Sequence, residues 1–481
     1  MSALSKVLTE EIRKIEDTRL VEDSISKYRL THHLMPPVGW LNDPNGLCWF
    51  KGRYHVFFQY APFEVEGGLK CWGHYSSEDL VNWRYEGAPL LPDSPQDCHG
   101  VYSGSALVEN DKLHLFYTGN VKLDGDYDYI NNGRETSTLH VESEDGIHFS
   151  NKEVVIPFSK YPEEYTCHIR DPKVWKDGEV YRMVLGGRKK DDTGAVLFYQ
   201  SKDFKDWSFE KEITTETPFG YMWECPDYFQ LGGKGILSVS PQGVQREEYR
   251  YQNIYQSGYF LMENNDKYLD SRDFREWDMG FDFYAPQTFT DGKGRRILIG
   301  WMGMPDAEEE YINLTVKEGW QHCLTLPREL TMNDGKIYQY PVEELSSLRK
   351  GCCEIDRRKS QIDLRGPFDL ELKIEGETAE IHLGRDLSLS YRNGCAVLTL
   401  SEDAGAGRRT RKARLDQLKE VRIVSDISAV EIYLNRGETV FSTRYYPGED
   451  RRLLRVEAED FRGKVFSLDS MTFGYCSLRA R

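Results

Sequence analysis

A seven-residue turn recurs four times along this chain and limits its fold more than any other feature. The pattern Ser-x-Asp-x-x-x-aromatic occurs at Ser77-Glu78-Asp79 with Trp83, Ser143-Glu144-Asp145 with Phe149, Ser201-Lys202-Asp203 with Trp207, and Ser271-Arg272-Asp273 with Trp277. Successive copies lie 66, 58 and 70 residues apart. Such an interval is too long for one hairpin and suits a four-stranded sheet with its loops, so the repeat predicts propeller blades around an axis. Four copies plus the closing material to about residue 335 predict five blades. Polar hairpins join short aromatic strands between the turns, as at Lys51-Gly52-Arg53, Lys176-Asp177-Gly178 and Asp291-Gly292-Lys293-Gly294.

The flanks read differently. Leu4, Val7, Leu8, Ile12 and Ile15 recur at helical spacing, and Leu20, Val21 and Ile25 continue the stripe less regularly. Glu10, Glu11, Arg13, Lys14 and Glu16 are expected on the wet face of that helix. Beyond a charged connector at 342–349, Phe368, Leu370, Leu372 and Ile374 alternate with Asp369, Glu371, Lys373 and Glu375, and Val430, Ile432 and Leu434 repeat the alternation. One wet and one dry face predict a small β-sandwich. The expected architecture is therefore all-β: a helical segment over 1–29, a five-bladed β-propeller over 30–335, a linker over 336–355 and a C-terminal β-sandwich over 356–481.

Composition narrows the partners. A net charge of −17 argues against nucleic acid. No apolar run approaches the roughly 20 residues of a membrane span, and the charged N-terminal stretch lacks the apolar core of a signal peptide. Ten scattered cysteines without Cys-x-x-Cys spacing suggest reduced thiols in a cytoplasm and no zinc site. A small-molecule ligand is the expected partner, and the oligomeric state is left open.

The chemistry gathers in three acidic stretches. In Trp40-Leu41-Asn42-Asp43-Pro44-Asn45-Gly46 a polar turn is expected to hold a carboxylate beside an aromatic wall and a neutral amide. Arg170-Asp171-Pro172 and Glu224-Cys225-Pro226 again set an acid at a proline-bounded strand entrance. Innermost propeller strands converge on a funnel, so three acids on separate blades form one site. Two carboxylates across a glycosidic bond are the minimum apparatus of most glycoside hydrolases, one attacking the anomeric carbon and the other protonating the leaving oxygen. Arg170 is expected to keep Asp171 ionised. Trp40, Trp72, Tyr102, Trp223 and Trp301 are candidates for stacking on sugar rings.

Those stretches, with Trp72-Gly73-His74, Tyr102-Ser103-Gly104-Ser105, 281–288 and Gly300-Trp301-Met302-Gly303, resemble the motifs of glycoside hydrolase family 32, the invertase and fructan-hydrolase family. The resemblance covers residues 30 to 335 most closely. It implies a five-bladed propeller with a β-sandwich and retaining hydrolysis of β-fructofuranosides, without metal or organic cofactor. By position Asp43 matches the nucleophile, Glu224 the acid/base and Asp171 the transition-state stabiliser, while Asn42, Gln59, Ser103, Arg170 and Trp301 match residues that hold the terminal fructosyl unit. The stretch Tyr221–Pro226, Ser240-Pro241-Gln242-Gly243 and the lack of a signal peptide resemble the intracellular bacterial sucrose-6-phosphate hydrolase branch. One departure stands out: 66–71 carries no tryptophan before Trp72, where many extracellular members have one. The alternatives are a fructosyltransferase, which would share every catalytic residue, and an inverting arabinan or xylan hydrolase, whose carboxyls would stand about 6.5–9.5 Å apart. A phosphate on the leaving sugar would need local cations, for which Arg134, Arg188 and Arg246 are the candidates.

Overall fold

The computed structural model describes residues 2–22, 26–263, 267–304, 313–448 and 451–475. Four antiparallel meanders follow in chain order. Gly39–Phe50, Arg53–Ala61, Cys71–Ser77 and Asn82–Leu90 form the first. Val101–Glu109, Lys112–Lys122, Arg134–Ser143 and Glu153–Ile156 form the second. Tyr165–Asp177, Val180–Lys189, Gly194–Ser201 and Ser208–Thr215 form the third. Met222–Leu231, Lys234–Gln242, Gly258–Met262 and Arg275–Glu276 form the fourth.

The repeated turn joins the third and fourth strands of the first three sheets. Ser77 Oγ accepts from the N–H groups of Asp79 and Leu80, and Asp79 Oδ1 accepts from those of Val81 and Asn82. Ser143 with Asp145 repeats these bonds, and Asp203 accepts from Lys205 and Asp206 in the same way. Two short polar side chains thus satisfy the backbone donors that a tight turn leaves open. The fourth copy departs from the plan: Asp270 caps a 3-10 turn at Ser271–Asp273, and the Trp277 indole N–H reaches Ser238 instead.

A further sheet, Tyr284–Thr290, Arg296–Met302, Arg328–Asn333 and Lys336–Pro341, lacks the turn and pairs its second strand with Cys323–Leu324. Five blades were expected from the sequence; four sheets follow the regular blade plan. The first strands of successive sheets pack side by side, and the last lies against the first. The arrangement is propeller-like, with separate apolar clusters between neighbouring sheets.

The C-terminal unit is a β-sandwich built on two long strands, Phe368–Leu383 and Arg451–Leu468, with a bulge between Glu375 and Ala379. Three expectations change here. The segment 336–355 is not a free linker, because Lys336–Pro341 pairs within the propeller and Arg349–Asp356 pairs with Arg451–Leu468. Ala429–Leu434 is buried along its whole length, because its second face packs on the propeller. There Glu431 receives Arg328 at 2.6 Å and His33 at 3.1 Å, both fully buried. Burial opposes a charge on His33, yet Asp426 and Glu431 hold its pKa at about 9. Finally, Thr472–Tyr475 adds a parallel strand to the edge of the first sheet.

Helix Ala3–Glu22 lies on the propeller through Leu8, Ile12 and Ile15. Leu4 and Val7, expected beneath it, are exposed, and Glu16, expected in water, points inward to the hydroxyls of Tyr60 and Tyr85 at 2.9 and 2.7 Å. The side chains of Leu20, Val21 and Ile25 lie outside the described residues. No helix among the described residues is long and apolar enough to cross a membrane.

Candidate active site

Three innermost strands deliver two acids and a tyrosine through the same backbone device. Asp171, Cys225 and Ala285 each precede a proline and adopt left-handed φ values of 64°, 44° and 47°. The strand ladders break register between Val184 and Gly186, Glu224 and Asp227, and Tyr284 and Gln287. Such bulges cost backbone strain and redirect side chains, and here they turn Asp171, Glu224 and Tyr284 towards one funnel. Asp43 arrives differently from the turn that was expected. Residues 39–50 form one continuous strand, and bulges after Leu41 and Asn45, with Gly46 at φ 53°, absorb the proline and glycine.

The funnel encloses about 810 Å³ and is lined by Trp40, Asn42, Asp43, Gln59, Tyr102, Ser103, Arg170, Asp171, Glu224, Tyr284 and Trp301 among others. One relay of hydrogen bonds holds Asp43. The Trp40 indole N–H donates to Asn42 Oδ1 (2.9 Å), Asn42 Nδ2 to Gln59 Oε1 (2.7 Å), Gln59 Nε2 to Ser103 Oγ (2.5 Å), and the Ser103 hydroxyl to Asp43 Oδ2. Burial pushes the Asp43 carboxyl up, the Ser103 and Asn42 donors hold it down, and the charge of Glu224 pushes it up again.

Glu224 is gripped on both oxygens. Oε1 accepts from Arg170 Nη2 at 2.5 Å, while Oε2 accepts from Gln242 Nε2 and the Tyr284 hydroxyl, each at 2.7 Å. Arg170 therefore does not serve Asp171 as expected: its nearest approach to that carboxylate is 3.9 Å. Burial raises the Asp171 pKa, Arg170 opposes the shift, and the charges of Glu224 and Asp43 add to it. Cys225 ties the acids together. Its N–H donates to Asp171 Oδ2 at 3.0 Å, and its Sγ stands 3.6 Å from both Asp43 Oδ2 and Asp171 Oδ2.

The candidate aromatics separate cleanly. Trp40 and Tyr102 are half-buried and line the funnel, and Trp301, with its ring centroid 5.9 Å from that of Trp40, borders it while almost wholly buried. Trp72 and Trp223 are fully buried; their indole N–H groups bond the carbonyls of Tyr102 and Phe219, so they back the walls and offer no face to a sugar. The wall left open by the missing tryptophan is filled by 66–70, with the Lys70 ammonium 5.0 Å over the Trp40 ring. Burial lowers the Lys70 pKa to about 8 against the pull of Asp43. Of the candidate phosphate contacts, Arg134 lines the funnel, whereas Arg188 turns to Asp192 at 2.6 Å and stacks on Tyr221. Neither Arg188 nor Arg246 is among the described lining residues.

Sequence reasoning missed Tyr284, Gln242, Cys225, Lys70, His99 and Lys122. A signal existed for Tyr284, because Tyr284-Ala285-Pro286 aligns with Glu224-Cys225-Pro226 and Arg170-Asp171-Pro172. The others depend on which strands become neighbours. The described residues hold no group of three or more His, Cys, Asp or Glu arranged for a metal.

Known proteins carry the same plan. Residues 33–341 match the N-terminal domain of glycosyl hydrolases family 32, and residues 351–472 match its C-terminal domain. A sucrose-6-phosphate hydrolase of Bacillus subtilis is 42% identical over 444 residues, covering 87% of this chain and 89% of that protein. The structure of a sucrose-6-phosphate hydrolase from Lactobacillus gasseri superposes with a TM-score of 0.87 at 28% identity, covering 95% of this chain and 97% of that one. A β-fructofuranosidase of Bombyx mori gives 0.85 at 29% identity, covering 97% and 99%. With both family domains matched in order over nearly its whole length, the chain belongs to glycosyl hydrolase family 32.

Proposed function

We propose that this β-fructofuranosidase uses Asp43 as nucleophile, Glu224 as acid/base and Asp171 as stabiliser to release terminal β-D-fructofuranosyl units, from sucrose and sucrose 6-phosphate among others, with retention. The observation that carries the reading is the convergence of three funnel-lining acids around Cys225, one fixed by a donor relay and one gripped on both oxygens. Asp43 attacks the anomeric carbon while Glu224 gives its proton to the departing oxygen; Glu224 then takes a proton from water, which attacks the same carbon and frees the Asp43 carboxylate. Asp171, against the sugar ring, offsets the positive charge of the oxocarbenium-like transition state. Asn42, Gln59, Ser103 and Arg170 offer donors and acceptors to the fructosyl hydroxyls, and the Trp40 ring, backed by Trp301, offers an apolar face.

The reading assigns catalysis to the propeller, about residues 30–341, and a supporting role to the sandwich. It takes the propeller as five-bladed: the four regular sheets and the sheet opening at Tyr284 each present a first strand to one axis. Nine described cysteines, all unpaired, favour a cytoplasmic setting.

The test is product stereochemistry by NMR together with two variants. Retention releases the β-anomer of fructose first. Asp43→Ala should cut turnover by on the order of 10⁴-fold or more. Glu224→Ala should cost roughly 10²–10⁴-fold on sucrose and less on a substrate with a good leaving group. Initial release of the α-anomer, or near-normal turnover by folded Asp43→Ala, would overturn the assignment.

A further inference from the structure

Two cations face each other at the rim of the funnel without an acid to separate them. Lys122 closes strand Lys112–Lys122, Arg134 opens strand Arg134–Ser143, and the two are direct cross-strand partners at the end of their ladder. Directly opposed side chains share a sheet face with Cβ atoms roughly 4.5–5.5 Å apart, and like charges placed so are destabilising. Both residues line the funnel. Among the described residues neither forms an ion pair with a carboxylate; Lys122 Nζ lies 5.6 Å over the Tyr129 ring. The Arg134 Nε is buried without a hydrogen-bond partner, and an unmet guanidinium donor is costly. His99 stands beside them. Its Nδ1 accepts the Lys122 backbone N–H at 3.2 Å, which leaves the ring hydrogen on Nε2, and His99 also lines the funnel. Tyr102, which also lines the funnel, bonds Arg134.

The surroundings make an anion the fitting occupant. A chain of net charge −17 repels a dianion at long range, so any preference for one must be made locally. Arg188, another candidate cation, is already paired with Asp192. A guanidinium can meet a phosphate with two parallel N–H···O bonds, and an ammonium adds a compact charge.

We propose that Lys122 and Arg134, with His99 at their edge, form a subsite for a phosphate monoester carried by the leaving sugar. The subsite rests on the fructosyl assignment above and explains how the same funnel discriminates a phosphorylated disaccharide from a neutral one. It acts on the departing half of the substrate, so it sets selectivity rather than the chemistry at the anomeric carbon.

The experiment compares kcat/KM for sucrose 6-phosphate and sucrose in the wild type, Lys122→Ala and Arg134→Ala, with glucose 6-phosphate and glucose as product inhibitors. The wild type should favour the phosphorylated sugar. Each variant should lower that ratio tenfold or more, weaken inhibition by glucose 6-phosphate more than by glucose, and reduce the salt dependence of the ratio. Lys122 is exposed at a strand end, so Lys122→Ala keeps the test decisive should Arg134→Ala fold poorly. A wild type that cleaves both sugars without preference, or a ratio unmoved in the folded variants, overturns the subsite and leaves the fructosyl assignment standing. A wild type that releases fructose from neither sugar overturns both.

Discussion

Ser103 shows how one hydroxyl sets the working range of a buried acid. It donates to Asp43 while accepting from Gln59, so its hydrogen is committed to the carboxylate. A donor to the charged form holds a pKa down. Here it opposes burial, the larger influence, and the repulsion of Glu224. Replacing Ser103 by alanine should therefore raise the Asp43 pKa further. Since the proposed nucleophile must be ionised, the acid limb of kcat/KM against pH should move to higher pH, with the alkaline limb unmoved. An acid limb that stays in place, in a folded variant, would assign that ionisation to another group. Arg170 teaches the complementary lesson: adjacency in sequence suggested a partnership with Asp171, yet the side chain spans to Glu224 on the next sheet. The strand geometry that bulges at Asp171 turns neighbouring side chains apart, and a guanidinium is long enough to choose the nearer acid.

At the scale of elements, the funnel depends on how closely neighbouring sheets approach. Gly186 lies on the second strand of the third sheet against the strand bearing Glu224. A Cβ there would stand 2.1 Å from the Trp223 carbonyl oxygen. Backbone cannot yield as a side-chain tip can, so Gly186→Ala must push the Trp223–Glu224 segment away. Overpacking of this kind costs roughly 1–3 kcal/mol. The same shift should draw Glu224 off Arg170, Gln242 and Tyr284, lowering kcat more than it changes KM. Denaturant unfolding and steady-state kinetics on the one variant check both halves. A variant with full kcat would show that the inter-sheet contact does not position the acid. The repeated Ser-x-Asp turns were legible because their bonds are local: donor and acceptor lie within four residues of each other.

For the whole molecule, the joints between parts are polar and buried. Glu16 docks the N-terminal helix to the propeller between Tyr60 and Tyr85, and burial raises its pKa to about 7 despite both hydroxyl donors. The sign follows from linkage. A carboxyl whose folded pKa exceeds its ordinary value near 4.5 favours the fold while protonated. That contribution is complete below about pH 4.5 and is lost as pH rises through about 7. Glu16→Gln removes the titration and keeps an oxygen to accept from the tyrosines. Its stability relative to wild type should therefore increase between pH 5 and pH 8, by up to about 3 kcal/mol. A difference independent of pH would mean that Glu16 is solvated in the folded protein. At the other joint, Arg328 binds Glu431 and Asp278 with all three fully buried, so the sandwich is fixed to the propeller by charge as well as by apolar area.

The chain alone determined what is local in physics. Strand periodicity, the Ser-x-Asp turns, the N-terminal helix and the proline that follows each bulged residue are short-range consequences of sterics and hydrogen bonding. They located the three acids and the all-β architecture before any neighbour was known. Tertiary structure decided what depends on a distant surface. Alternation shows that Glu431 and Glu16 face away from an apolar stripe, but not that a second surface then covers them. Aromatic identity does not tell a funnel-lining ring such as Trp40 from a buried strut such as Trp72, since both need apolar cover and differ only in which side remains open. The pairing of Lys122 with Arg134 was equally hidden. Eleven positions of loop lie between them, and only the register of the ladder sets two cations opposite each other at the funnel's rim.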